Sequence, residues 1–250
     1  MSHPFLSGKL TLVGHLARPS SIEPELPGLI LCHGFPAGVA GAAASAVSFP
    51  QLADRIAEEM GWVVLVFNFR GAGRSEGDFS LHGWLDDLHA AIDHLAAVDR
   101  VRGIWLAGFG TGGALCVCAG AARNEVQGVA AMAAPADFDD WAHHPRRLLQ
   151  HARDIGLITS PDFPRSLDSW SRELREIRPA VAVRGLQPRS LLVLHGSDDE
   201  AVPQFDARVV SDAHGQADLR IIGGAGHQLR HDPRALAVLL GWLDRQKHRV

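Results

Sequence analysis

Residues 106–115, LAGFGTGGAL, carry the first pattern with chemistry in it. Gly108, Gly112 and Gly113 stand where a strand would turn sharply into a helix and two backbones must pass closely. A turn written G-x-S-x-G presents a serine oxygen to a carbonyl carbon. Here the middle residue is Gly110, which has no side chain. Three other stretches hold groups that acyl chemistry uses. CHGFPAG (32–38) and GAGHQL (224–229) each set a histidine among glycines, and LHGSDDEAVP (194–203) carries the adjacent acids Asp198 and Asp199. His227 follows an apolar run in a glycine-rich loop, where an imidazole can swing over the end of a sheet.

The surrounding sequence supplies elements to hold such groups. Short continuous apolar runs occur at 28–34, 62–69, 103–108, 128–134, 190–196 and 219–224. Their length and β-branched content predict strands buried on both faces. KLTLVGHLA (9–17) alternates like an edge strand. Between the runs, Leu81, Trp84, Leu85, Leu88, Ile92 and Leu95 keep helical spacing, with Asp86, Asp87 and Asp93 expected on the opposite side. Asp232 and Pro233 read as N-cap and first helical residue of a C-terminal helix, and Val202-Pro203 opens another. Strands alternating with helices predict an α/β fold, a mostly parallel sheet covered on both faces. Sites in such sheets form beyond the carboxyl ends of strands, where the motifs above fall.

Residues 136–189 break the alternation. They hold helical pieces punctuated by Pro161, Pro164, Pro179 and Pro188 but no buried strand. At about fifty residues the segment exceeds ordinary connections of roughly 15 or fewer. It reads as a short helical lid within a single domain spanning 1–250. AGVAGAAASA (37–46) reads as a small-residue loop.

Taken together, the order CHGFPAG, GFGTGG, LHGSDDEAVP, GAGHQL, with NFRGAGRSEG (68–77) between the first two, resembles the α/β-hydrolase family. The likeness is to its small esterase-like or serine-peptidase-like members with a short lid, and it extends from about Lys9 to Leu243. The resemblance implies that His227 is the catalytic base and that Asp199, with Asp198 as the neighbouring alternative, orients it. It also implies an oxyanion hole made by the backbone N–H groups of Phe35 and Thr111. Gly110 then stands at the nucleophile position, whether by natural change or by engineering. Glycine adopts the strained conformation of such a turn easily, so it keeps the turn while removing the oxygen. Thr111 starts the following helix and Ser75 reads as a turn residue, so neither replaces the serine. What the arrangement still allows is a water activated by His227 and aimed at a carbonyl held by the two N–H groups.

Two functional expectations follow. One is a hydrolase of carboxylic esters or related acyl compounds; the other is a pseudo-hydrolase that binds a small ligand or protein partner without turnover. A nucleotide-binding oxidoreductase is disfavoured, because residues 71–77 are spaced G-x-G-x-x-x-G and no acid closes a second strand about 20 residues on. The net charge of −4 gives no reason to expect nucleic acid or an anionic membrane as partner, and no apolar run reaches the roughly 18 residues of a membrane span. Cys32, Cys116 and Cys118 form no paired framework, and the start lacks a basic-then-apolar leader, so the expected location is cytoplasmic. His143, His144 and His151, separated by Arg146 and Arg147, read as a solvated helix face. No metal or organic cofactor is implied. Trp141, Trp170, Phe138 and Phe163 are candidates to line an acyl pocket.

Overall fold

A computed structural model describes residues 3–36 and 39–247, with the side chains of 39–48 left undescribed. Eight strands form one sheet: β1 (His3–Ser7), β2 (Leu10–Ala17), β3 (Leu26–Cys32), β4 (Val63–Phe67), β5 (Val101–Phe109), β6 (Val126–Met132), β7 (Ser190–Gly196) and β8 (Asp218–Ile222). Their order across the sheet is β1-β2-β4-β3-β5-β6-β7-β8. From β4 to β8 every neighbouring pair is parallel, while β2 runs antiparallel to both β1 and β4. The predicted α/β architecture is therefore present. β2 is not the edge, however. His3–Ser7, which has no apolar run to announce it, pairs outside β2.

The central strands are apolar on both faces because both are covered. α2 (Leu81–Ala96), α3 (Thr111–Ala122) and α8 (Gln204–His214) pack on one side of the sheet, and α1 (Val39–Met60) and α9 (Pro233–Lys247) on the other. Trp84, Leu88 and Ile92 of α2 join Ile30, Leu65 and Leu106 in the first core, and Trp62, Trp105 and Trp242 anchor the second. Each such side chain removed from water contributes about 1.5–3 kcal/mol.

Two expectations need correction here. Ala37 and Gly38 of the supposed small-residue loop lie outside the described residues, but from Val39 the chain is helical, and this helix contains Pro50. A run of alanines carries no apolar period to reveal it. Asp87 does not face solvent: it is fully buried in α2 and holds the Arg70 guanidinium at 2.7 Å. It also accepts from the backbone N–H of Arg70 at 2.8 Å, which fixes the loop after β4.

Residues between β6 and β7 form α4 (Asp139–His143), α5 (Pro145–Asp154), α6 (Leu167–Glu176) and α7 (Pro179–Ala182). Trp170 of α6 is buried and donates to the carbonyl of Phe79 at 3.1 Å, tying this segment to the main body. Among the described residues, no helix is long and apolar enough to cross a membrane.

Candidate active site

The turn between β5 and α3 depends on glycine at several points. Gly110 has φ 54° and ψ −127°, the left-handed side of backbone space that costs an L-residue strain. Its N–H donates to the Met132 carbonyl at 2.8 Å, anchoring the turn to β6. A Cβ on Gly112 would lie 2.3 Å from the His33 carbonyl oxygen, so the loop after β3 crosses α3 at a distance that only glycine permits.

That crossing brings the loop after β3 beside this turn. His33 is buried, with Nδ1 2.8 Å from the Gly34 carbonyl and Nε2 3.2 Å from the Phe69 N–H. Its Nδ1 therefore donates and its Nε2 accepts, which braces the loop from beneath. Burial pushes its pKa down to about 4, with the hydrogen bond to Gly34 opposing. Gly34 Cα lies 3.7 Å from where a Cβ on Gly110 would stand. Phe35 follows, its ring edge-on to Phe79 and Trp141, each about 5.0 Å away. Thr111 is the first residue of α3, so its N–H has no partner within the helix.

His227 reaches the same place from the other side. A Cβ on Gly110 would lie 3.3 Å from His227 Nε2. His227 Nδ1 is 2.9 Å from Asp199 Oδ2 and 3.2 Å from Oδ1. A carboxylate only accepts, so Nδ1 carries the proton and Nε2 presents its lone pair toward residue 110. The His227 side chain is 36% exposed, whereas that of Asp199 has no exposed surface.

Asp199 is held in place by three hydrogen-bond donors, with His195 as a further close contact. Its Oδ1 accepts from the N–H groups of Ala201 and Val202 at 2.9 Å each. Its Oδ2 faces His227 and also His195 Nε2, at 3.3 Å. Burial by itself would raise the pKa of this acid, but the bonds from His195, His227 and Val202 overcome it and hold the carboxyl far below the ordinary carboxylate range. Asp198, the alternative acid, is exposed and accepts from Ser197 Oγ at 2.6 Å. Of the two acids, it is Asp199 that meets His227.

These groups open onto a cavity of about 480 Å³. Phe35, Gly110, Thr111 and His227 line its floor, Ala201, Val202, Pro203 and Asp206 one side, and Phe138, Trp141, Leu148 and His151 the segment between β6 and β7. Two of the four aromatic candidates therefore face it. Trp170 is buried beneath α6, and Phe163 packs against the core. Ser75 accepts from Val13 N–H and donates to the Asn68 carbonyl at 2.6 Å, a role within the loop.

The family model for the alpha/beta hydrolase fold matches residues 27–156, more than half of the chain. The chain belongs to the alpha/beta hydrolase family. Solved structures of similar fold include Est1E from Butyrivibrio proteoclasticus, determined with ferulic acid bound. It has 22% identity and a TM-score of 0.78 over 99% of this chain and 100% of that one. The alpha/beta hydrolase GrgF from Penicillium sp. sh18 has 20% identity and a TM-score of 0.77 over 99% of each chain. An esterase from Pyrococcus furiosus has 18% identity and a TM-score of 0.69 over 98% and 91% of the two. No curated protein sequence matched the chain. At these identities the likeness is one of fold, with esterases among the neighbours.

Motif reading missed three kinds of residue. His195 looked like the end of a strand, although its place in LHGSDDEAVP was a signal. Asp137 and Asp206 line the cavity with nothing in the sequence to announce them. Pro36 and Pro135 also line it, each just beyond the end of a strand.

Proposed function

We propose that this protein is an acyl-ester hydrolase frame in which Asp199 and His227 form the base and the N–H groups of Phe35 and Thr111 form the oxyanion hole. In the chain as it stands, the nucleophile is a water held between His227 Nε2 and the carbonyl of the bound substrate. One observation carries the reading: the proton-free nitrogen of His227 addresses the position of the residue-110 side chain from 3.3 Å, with Asp199 on its other nitrogen. A base so placed contributes about 10²–10⁴-fold to a proton transfer.

The neutral imidazole takes a proton from water as the oxygen attacks the carbonyl carbon. Negative charge develops on the carbonyl oxygen, where two backbone donors are each worth roughly 3 kcal/mol. The imidazolium, steadied by Asp199, then returns the proton to the departing alkoxide, releasing acid and alcohol. No acyl-enzyme forms.

The cavity wall supports neutral, partly apolar esters as substrates. Phe35, Phe138, Trp141 and Leu148 line it, and its charged residues include Asp137, Asp140 and Asp206 but no lysine or arginine among those described. The whole chain acts as one domain, with residues 136–189 as its short lid, and the free thiols of Cys32, Cys116 and Cys118 suit a cytoplasmic setting. The second reading, binding of a small ligand or protein partner without turnover, is favoured by the missing side chain at Gly110 alone.

Hydrolysis of short- and medium-chain p-nitrophenyl esters by three proteins separates the readings. Activity in the chain as given that is lost in His227→Ala supports the water route. Background activity there, with a gain of about 10³-fold or more in Gly110→Ser, identifies a silenced serine esterase. If all three are inert on this panel while a ligand binds, the second reading stands.

A further inference from the structure

His195 is the penultimate residue of β7 and its ring is completely buried. Its Nε2 lies 3.0 Å from the Val202 carbonyl and 3.3 Å from Asp199 Oδ2, two acceptors, so this nitrogen carries the ring proton. Nδ1 is then a bare acceptor, buried and without a hydrogen-bond partner among the described residues. A buried acceptor left unsatisfied costs stability, and an apolar side chain would fill this core position without that cost. The useful end of the ring is the one facing the acid.

The bonds on Asp199 show what that end does. Both backbone donors, Ala201 and Val202, bind Oδ1. Oδ2 is left to His195 and His227. Without His195, the group left on Oδ2 among the described residues would be the partly exposed imidazole that the carboxylate is meant to orient. The His195 N–H is shared: its shorter hydrogen bond goes to the Val202 carbonyl at 3.0 Å and Asp199 Oδ2 is the longer contact at 3.3 Å, so the turn from 199 to 202 is clamped to the end of β7. The neighbouring Gly196 lets the His227 loop approach, since a Cβ there would lie 2.1 Å from the Ala225 carbonyl oxygen.

We propose that His195 is a positioning residue for Asp199: its Nε2–H fixes Oδ2, so that the carboxylate meets His227 Nδ1–H in a single orientation and holds that tautomer. Its kinetic consequence rests on the function proposed above; its structural consequence does not.

The test has two arms. Long-range ¹H–¹⁵N correlation spectra at pH 8, assigned with His227→Ala, report the tautomer of His227 in the chain as given. The parent and His195→Gln, whose amide reproduces the Nε2 donor, hold the Nδ1–H tautomer. His195→Phe and His195→Met shift His227 toward the Nε2–H form. In the Gly110→Ser background, the same apolar substitutions lower kcat on p-nitrophenyl esters about tenfold or more with little change in KM, and His195→Gln restores most of it.

A folded His195→Phe or His195→Met protein that keeps His227 fully Nδ1–H overturns the proposal. So does a parent chain in which His227 is Nε2–H. If neither apolar variant folds while His195→Gln does, the residue serves stability and the proposal fails. Inactivity of Gly110→Ser would count against the ester-hydrolase reading alone, leaving the tautomer arm to decide on His195.

Discussion

The floor of the cavity and its far wall are built differently. The floor comes from the ends of β3, β5 and β7 and the loop after β8, and its groups are fixed by backbone bonds and close crossings: Gly112 under His33, Gly196 under Ala225, three hydrogen bonds and the His195 contact on one carboxylate. The wall comes from α4 and α5, of 5 and 10 residues, and contributes side-chain faces such as Trp141, Leu148 and His151. A floor of this kind fixes what chemistry is available, because Asp199 and the loops that carry Phe35 and Gly110 are each held from several directions. A wall of short helices fixes which molecule fits. Substitutions on the floor should therefore act on turnover or on folding, and substitutions on the wall on substrate choice.

The largest effect belongs to the acid. In the Gly110→Ser background, Asp199→Asn lowers kcat about 10⁴-fold, because an amide no longer enforces the Nδ1–H tautomer or steadies the imidazolium; steady-state kinetics with unchanged circular dichroism check it. Next comes the glycine crossing. Gly112→Ala forces a Cβ to 2.3 Å from a backbone oxygen, and the loop after β3 cannot yield without losing the His33 brace. A loss of about 3 kcal/mol or more in urea unfolding is expected.

His33 gives a pH dependence of comparable size. Its folded pKa of about 4 lies below the ordinary 6.5, so the unfolded chain binds this proton more readily than the folded one. Stability from this group is intact above pH 6.5, falls as pH drops toward 4, and levels off below that. The total is about 3 kcal/mol. Urea midpoints between pH 7 and 4.5 should show the slope, and His33→Gln should flatten it.

The smallest effect lies on the wall. Trp141→Ala raises KM for medium-chain esters by about tenfold while changing kcat little, since it removes contact area and no reacting group. A fall in kcat at unchanged KM would erase the distinction between floor and wall.

The same contrast decided what could be read from the sequence. The buried strands were legible because two-sided burial demands continuous apolar runs, and β7 was read with its observed bounds, Ser190–Gly196. Gly108, Gly112 and Gly113 were legible because close backbone crossings leave glycine as their mark. The neighbouring acids Asp198 and Asp199 could not be separated, since only the direction of the turn between β7 and α8 sends one of them to His227. Asp87 was misplaced because helical spacing cannot see Arg70 arriving from another loop to pair with it. The first strand escaped because HPFLS alternates too briefly, and α1 because its first turns are small residues with no apolar stripe. The lining of the wall was half legible: its aromatic residues were visible, but which of them face the cavity depends on how α4 to α6 pack.

Asp199 and His227 are proposed to act at the position of the residue-110 side chain, which His227 Nε2 faces. Labelling of Gly110→Ser by a fluorophosphonate, followed by intact-mass and peptide mapping, tests it most directly, because that reagent captures only an activated serine. One rapid adduct is expected at position 110, absent from the chain as given and abolished by adding His227→Ala. A folded Gly110→Ser protein that takes no label, or takes it equally without His227, would contradict it.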